Sequence, residues 1–112
     1  MNMDRLNELR SEVGADALAE VLEVFLEETD AVAQRLRDAA PAGGMAAEMH
    51  MLKGAALNLG FDDLAALCST AERAAGTGPV DTSQVLECYV QSRAELVAAA
   101  PQFGLSLPDP VR

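Results

Sequence analysis

His50 is the only histidine among the 112 residues of the chain, and it stands in a stretch with helical spacing. When residues 45–59 are wound at about 100° per residue, the apolar side chains form one stripe and His50 lies opposite it. The residues of that stripe are Met45, Met49, Leu52, Ala56 and Leu59. We therefore expect the imidazole to face solvent, although position alone leaves open whether it is reactive or a passive surface group.

Two neighbours on the His50 side of this helix have properties that bear on chemistry. Lys53, three residues on, puts a positive charge within one turn of the imidazole, where it would stabilise a phosphoryl group carrying about two negative charges. Gly54, four residues on, stands inside a helix, where glycine costs about 1 kcal/mol relative to alanine. It indicates either an open approach to the imidazole or a tight helix crossing, and the second is less attractive because Gly54 points away from the predicted core.

Apolar and small residues complete this side of the helix. Leu57, seven residues after His50, is a large apolar side chain on a face that should be wet, which suggests a contact surface, although isolated exposed leucines are common. Ala46 and Ala47, one turn before His50, leave the same side uncluttered. We predict that these three residues contact a partner.

The elements that position His50 are predicted to be helices, because apolar residues recur at three-and-four spacing between breaker clusters. The predicted helices run over about 3–13, from Asp16 to about Ala40, over about 45–59, from Asp62 to before Gly76, and from Asp81–Ser83 to Pro101. The tail over 101–112 is predicted to be irregular, since proline ends the last helix.

Capping residues stand at several of these predicted ends. Gly60 takes the position after the third helix, where glycine accepts a left-handed backbone. Asp62 can cap the fourth helix, and one of Asp81, Thr82 and Ser83 can cap the last, because their side-chain oxygens accept from free backbone amides. Short connections favour antiparallel neighbours, so the fold class is predicted to be all-α: an up-down-up-down four-helix bundle over about 15–100, covered by the short N-terminal helix.

Composition agrees with helices and limits the classes of partner. Half of the residues are hydrophobic and only 4% are aromatic, which favours packed helices over a sheet. The formal net charge of −10 makes nucleic acid and anionic membranes poor partners, and no apolar run approaches the roughly 20 residues that span a bilayer. We expect a cytoplasmic protein of one domain over 1–112.

The acidic residues of the second helix and the two cysteines are interpreted as structural residues without a role in the chemistry. The acidic stripe of the second helix consists of Glu20, Glu23, Glu27 and Asp30, and is interpreted as a solvated face. Cys68 and Cys88 lie inside helical patterns, so we expect reduced core thiols. One histidine and two cysteines at these separations offer no recognisable zinc spacing.

Residues 50–60, HMLKGAALNLG, resemble the signature of histidine-containing phosphotransfer (HPt) domains, which reads H-x-L-K-G-x-[AS]-x-N-[hydrophobic]-G. The similarity continues through Phe61, Leu64, Cys68 and Glu72, and covers roughly residues 5–100. Ala55 stands where many members have serine, and the family tolerates alanine there. The resemblance implies a single HPt domain, in two-component phosphorelays, whose histidine exchanges a phosphoryl group with receiver-domain aspartates.

The resemblance also implies roles for individual residues. His50 would carry the phosphoryl group, Lys53 would stabilise its charge and Gly54 would give steric access. Glu72 falls where family members place a residue that hydrogen-bonds the imidazole; a carboxylate accepting from Nδ1–H would leave Nε2 as the nucleophile. Without His50, an ordinary solvated glutamate would be the default interpretation of Glu72. The resemblance also implies that the chain binds no metal or cofactor of its own, because the receiver's acidic pocket would hold the Mg²⁺.

Two other classes of function are alternatives to phosphotransfer. An autonomous enzyme is disfavoured, since the chain has no P-loop, no dinucleotide fingerprint and no room for the ATP-binding domain of a kinase. An acidic helical module that regulates a partner by docking alone keeps the bundle but has no need for His50, Lys53, Gly54 and Glu72 together. The partners expected are receiver domains of response regulators or hybrid kinases, with the chain as a monomer.

Overall fold

The computed structural model describes residues 2–38, 44–78, 80–105 and 107 of the chain. Within these ranges the protein has five α-helices, one short 3-10 helix and no β-strand. The α-helices are α1 (Met3–Val13), α2 (Ala15–Arg37), α3 (Met45–Leu59), α4 (Asp62–Ala75) and α5 (Ser83–Ala99), and the 3-10 helix spans Ala100–Phe103. The prediction of an all-α fold is confirmed. None of the helices in these ranges combines the length and apolar character needed to cross a membrane.

The four longer helices form a bundle in which neighbours in sequence also pack together. α3 and α4 share the most extensive contact, α2 packs against α3, α4 against α5, and α5 returns to α2, while α1 lies against α2 and α3. Leucines from every helix fill the interior, and Tyr89 and Phe61 are the largest fully buried side chains. Burying this apolar surface is the main force that holds the helices together.

The turn between α3 and α4 requires a glycine at Gly60. Its φ of 78° is in the left-handed region, and a Cβ there would lie 2.6 Å from the backbone oxygen of Asn2. The Asn2 amide donates to the Gly60 carbonyl at 2.7 Å, so the start of α1 closes over the turn. The prediction that Asp62 caps α4 is wrong, because the buried Phe61 takes the cap position and Asp62 is the first helical residue. Asp62 instead accepts from the Asn2 side chain at 3.1 Å.

One of the predicted capping residues contributes to the start of α5. Asp81 accepts from the Ser83 amide at 2.9 Å and so stabilises the start of α5, although Thr82 holds the cap position.

The tail is not irregular from its beginning, because the 3-10 helix continues to Phe103 and Leu107 is only 7% exposed. Apolar side chains hold this part on the bundle. Residues 39–43 and 108–112, where the second helix and the tail were predicted to end, lie outside the described residues.

The acidic stripe of α2 divides into a solvated part and a paired part. Three of its residues are exposed as predicted, namely Glu20, Glu23 and Glu27. Asp30 differs, because Arg93 of α5 donates to it through Nε and Nη2 at 2.9 Å each and the Tyr89 hydroxyl also donates to it. Burial opposes ionisation of Asp30, but these hydrogen bonds outweigh it and lower its pKa. The buried Thr29 hydroxyl lies 2.8 Å from that of Tyr89, so a polar network joins α2 to α5.

Both cysteines are free thiols in the bundle. Cys68 is fully buried on α4, and Cys88 is partly buried on α5. Burial raises the pKa of the Cys68 thiol to about 12, so it stays protonated at neutral pH. The expectation of a core position is confirmed for Cys68, and Cys88 lies at the edge of the core.

Candidate functional site

His50 projects from the middle of α3 on the side away from the core. The buried residues of this helix include Met49, Leu52, Ala56 and Leu59, whereas 71% of the His50 side chain is exposed. The winding prediction is therefore confirmed for the imidazole. The sharp change from a buried Met49 to an exposed His50 follows from the rotation of about 100° between successive helical residues.

Glu72 of α4 lies between His50 and Lys53 of α3 and faces both. Its Oε2 is 3.2 Å from Nδ1 of His50, and its Oε1 is 3.2 Å from Nζ of Lys53. In the described part of the chain, Oε1 is buried and accepts no hydrogen bond of good geometry, so the contact with the ammonium is an ion pair. The Lys53 ammonium is the main cause that lowers the pKa of Glu72, burial opposes it, and His50 adds a smaller effect.

Gly54 leaves the other side of the imidazole open. On the helical wheel Lys53 and Gly54 flank His50 on opposite sides, and α4 occupies the Lys53 side. A Cβ added at Gly54 would have no atom within 4 Å, so this glycine does not serve a helix crossing. The structure therefore gives no support to a packing role for Gly54, and the space at this position, one turn from the imidazole, is open.

The exposed surface around His50 is apolar and made of small or accessible side chains. Leu57 is 53% exposed, and Ala46 and Ala47 are exposed as well, as the winding predicted. Met51, next to His50, is 50% exposed and was not singled out by sequence. The helical wheel could have predicted that Met51 is exposed, because it lies about 100° from His50 and the core stripe lies about 180° or more from His50 in the same direction.

A buried ion pair that sequence reasoning missed holds the start of α3. Glu48 is 2% exposed, and Arg35 of α2 donates to its two oxygens through Nε at 2.5 Å and Nη2 at 2.9 Å. The winding contains a signal for this pair, because it places Glu48 beside Leu52 and Leu59 on the buried stripe. An acidic residue there needs a cationic partner, which only the packing of α2 against α3 identifies.

A second missed contact supports the far end of α3. Arg5 of α1 donates through Nε to the backbone oxygen of Asn58 at 3.0 Å and through Nη2 to its side-chain oxygen at 3.3 Å. The Asn58 amide group in turn donates to the Gly54 carbonyl at 3.1 Å. These contacts join α1 to the turn of α3 that carries Gly54, and they give a structural role to the asparagine of the motif.

A model of the family described as Hpt domain matches residues 20–100, which is most of the chain. The chain belongs to the Hpt domain family. Hpt domains are phosphocarrier modules rather than kinases, and they carry out histidine phosphotransfer in the phosphorelays of two-component signalling. They interact with receiver domains of response regulators or kinases. No curated protein and no solved structure matches the chain significantly.

The match places both halves of the candidate site inside the Hpt domain. His50 and Lys53 of α3 and Glu72 of α4 all fall within residues 20–100, whereas α1, with Arg5, precedes the matched region. Among the described residues, no group of three or more histidine, cysteine and acidic side chains could hold a metal ion.

Proposed function

We propose that this Hpt domain accepts a phosphoryl group on Nε2 of His50 from a receiver-domain aspartate and passes it reversibly to another receiver. The observation that carries the proposal is the exposed imidazole whose Nδ1 lies 3.2 Å from a carboxylate of the neighbouring helix. A proton on Nδ1 is favoured by that carboxylate, and the lone pair then remains on Nε2. An accessible ring nitrogen with a fixed tautomer is what nucleophilic attack on phosphorus needs.

The transfer step needs only groups that this chain and its receiver partner supply. The Nε2 lone pair forms the N–P bond while the P–O bond of the aspartyl phosphate breaks, and the aspartate leaves as a carboxylate. The ring becomes a cation that keeps its Nδ1 proton beside Glu72. When the phosphoryl group passes to a second aspartate, the N–P bond breaks and a new P–O bond forms. The electron pair of the N–P bond stays on Nε2, and the imidazole is again neutral.

Other residues at the site have supporting roles in this proposal. Lys53 stabilises negative charge on the phosphoryl group, and Gly54 admits the receiver's active site to the imidazole. Leu57, Ala46 and Ala47 contact the receiver. The receiver supplies Mg²⁺ from its own acidic pocket, and the chain works with these partners in the cytoplasm as a monomer without a cofactor of its own.

The direct test is transfer of radioactive label from phosphorylated receiver domains or a phosphorylated hybrid kinase. We expect wild type to acquire an acid-labile, base-stable phosphoramidate, and His50→Gln to acquire none. The variant should fold normally, because 71% of the side chain is exposed. Helical content by circular dichroism provides the control for folding.

The same experiment contains the result that contradicts the proposal. If wild type binds a receiver domain but takes no label from it under any ratio of the two, the chain acts by docking alone. Label that persists in His50→Gln would mean that another residue carries the phosphoryl group.

A further inference from the structure

Lys53 already has a partner before any phosphoryl group arrives. Its ammonium lies 3.2 Å from Oε1 of Glu72, and this oxygen is buried. The Lys53 side chain is 29% exposed, so the ammonium is held close to the protein surface rather than extended into solvent. A phosphoryl group on His50 would therefore meet an ammonium that is already paired with a carboxylate.

The geometry points to a partner exchange, in which Lys53 leaves Glu72 for the phosphoryl group when His50 is phosphorylated and returns when the group departs. This inference rests on the proposed function and adds a regulatory role for Glu72. Glu72 then acts twice: through Oε2 it orients the imidazole, and through Oε1 it competes with the phosphoryl group for Lys53.

Charge supports the exchange in both states. Before transfer, the Glu72 carboxylate pairs with the Lys53 ammonium, and the imidazole that attacks has a free lone pair on Nε2. After transfer, the phosphoryl group carries about two negative charges and the ring carries a positive one. The ring cation now faces Glu72 through Nδ1, so the carboxylate keeps a positive neighbour when Lys53 leaves it. The flexible four-carbon stem of lysine allows the movement without a change in α3 or α4.

A double-mutant cycle tests this competition. Lys53→Met keeps an apolar stem of similar length without the charge, and Glu72→Gln keeps an oxygen that can accept from Nδ1–H but removes the negative charge. For each of the four proteins, the equilibrium constant for phosphoryl partition is measured against one receiver domain that exchanges label with wild type. Both side chains are partly exposed, so the variants should retain their helical content, which circular dichroism checks.

The expected result is a coupling between the two substitutions. Glu72→Gln should favour phosphohistidine about 1.5- to 5-fold more when Lys53 is present than when it is methionine, since this is the range expected for a partly exposed ion pair. The comparison cancels the loss of the carboxylate beside the ring cation, because that loss occurs in both backgrounds. A coupling factor of one, or a factor below one, overturns the inference: Lys53 would then serve the phosphoryl group without leaving Glu72.

Two controls separate the possible failures. Glu87→Gln removes the charge of an exposed glutamate on α5 and should show no coupling with Lys53→Met. If wild type takes no label from receivers, the proposed function fails and the exchange fails with it. If wild type and the variants exchange label but the coupling factor is one, only the exchange is wrong.

Discussion

Substituting Gly54 by alanine tests whether the space beside His50 is open. The structure predicts that this substitution stabilises the protein. A Cβ at Gly54 meets no atom within 4 Å, so no packing or strain opposes the change. The gain from replacing glycine inside a helix is about 1 kcal/mol. With an unfolding entropy of about 2.1 cal/mol/K per residue, a chain of 112 residues should melt about 4 °C higher.

Gly60 provides the matched control, since the same substitution there should have the opposite sign. The left-handed conformation at φ 78° destabilises an alanine by about 1–2 kcal/mol, and the alanine Cβ would lie 2.6 Å from the backbone oxygen of Asn2. We expect Gly60→Ala to melt at least about 4 °C lower than wild type. Thermal unfolding followed by circular dichroism at 222 nm measures both variants.

Function is then tested with a larger side chain at the same place. Gly54→Gln should retain the stability of wild type or exceed it, because glutamine is also a good helix former, yet slow phosphotransfer about tenfold or more by obstructing the imidazole. A Gly54→Ala variant that melts below wild type would refute the reasoning, since it would make Gly54 a packing residue. Full transfer activity in Gly54→Gln would show that the receiver approaches from elsewhere.

Two further predictions concern the network between α2 and α5. Because the pKa of Asp30 is lowered in the folded state, its contribution to stability is present above the unfolded value near 3.9 and is lost as pH falls through the folded one. The unfolding free energy of wild type, measured in urea, should therefore drop more steeply below about pH 4 than that of Asp30→Asn, and parallel curves would contradict this. Tyr89→Phe removes a buried hydroxyl that donates to Asp30, and should lower the unfolding free energy by about 1–2 kcal/mol in urea titrations at neutral pH; an unchanged value would show that the hydroxyl contributes nothing net.

Local sequence was sufficient for the elements and for the exposure of His50. The spacing of apolar residues in α3 puts Met49 and Leu52 inside and His50 outside, because helical rotation depends only on position along the chain. The same local logic identified Gly60, since a helix end needs a residue that tolerates a positive φ. The motif added Glu72 as a neighbour of His50, and the structure places these two side chains in contact.

Contacts between helices were decided by tertiary structure, because a helical wheel shows which side a residue faces and not what it meets there. Glu48 is buried where α2 brings Arg35 to it, and Asp30 differs from the rest of the stripe because α5 brings Arg93 and Tyr89 to it. Lys53 was predicted as a positive charge one turn from His50, and the packing of α4 on α3 brings Glu72 within 3.2 Å of its ammonium. Sequence thus determined that His50 is exposed with a cation one turn away, and the packing of α3 against α4 determined that both share one carboxylate.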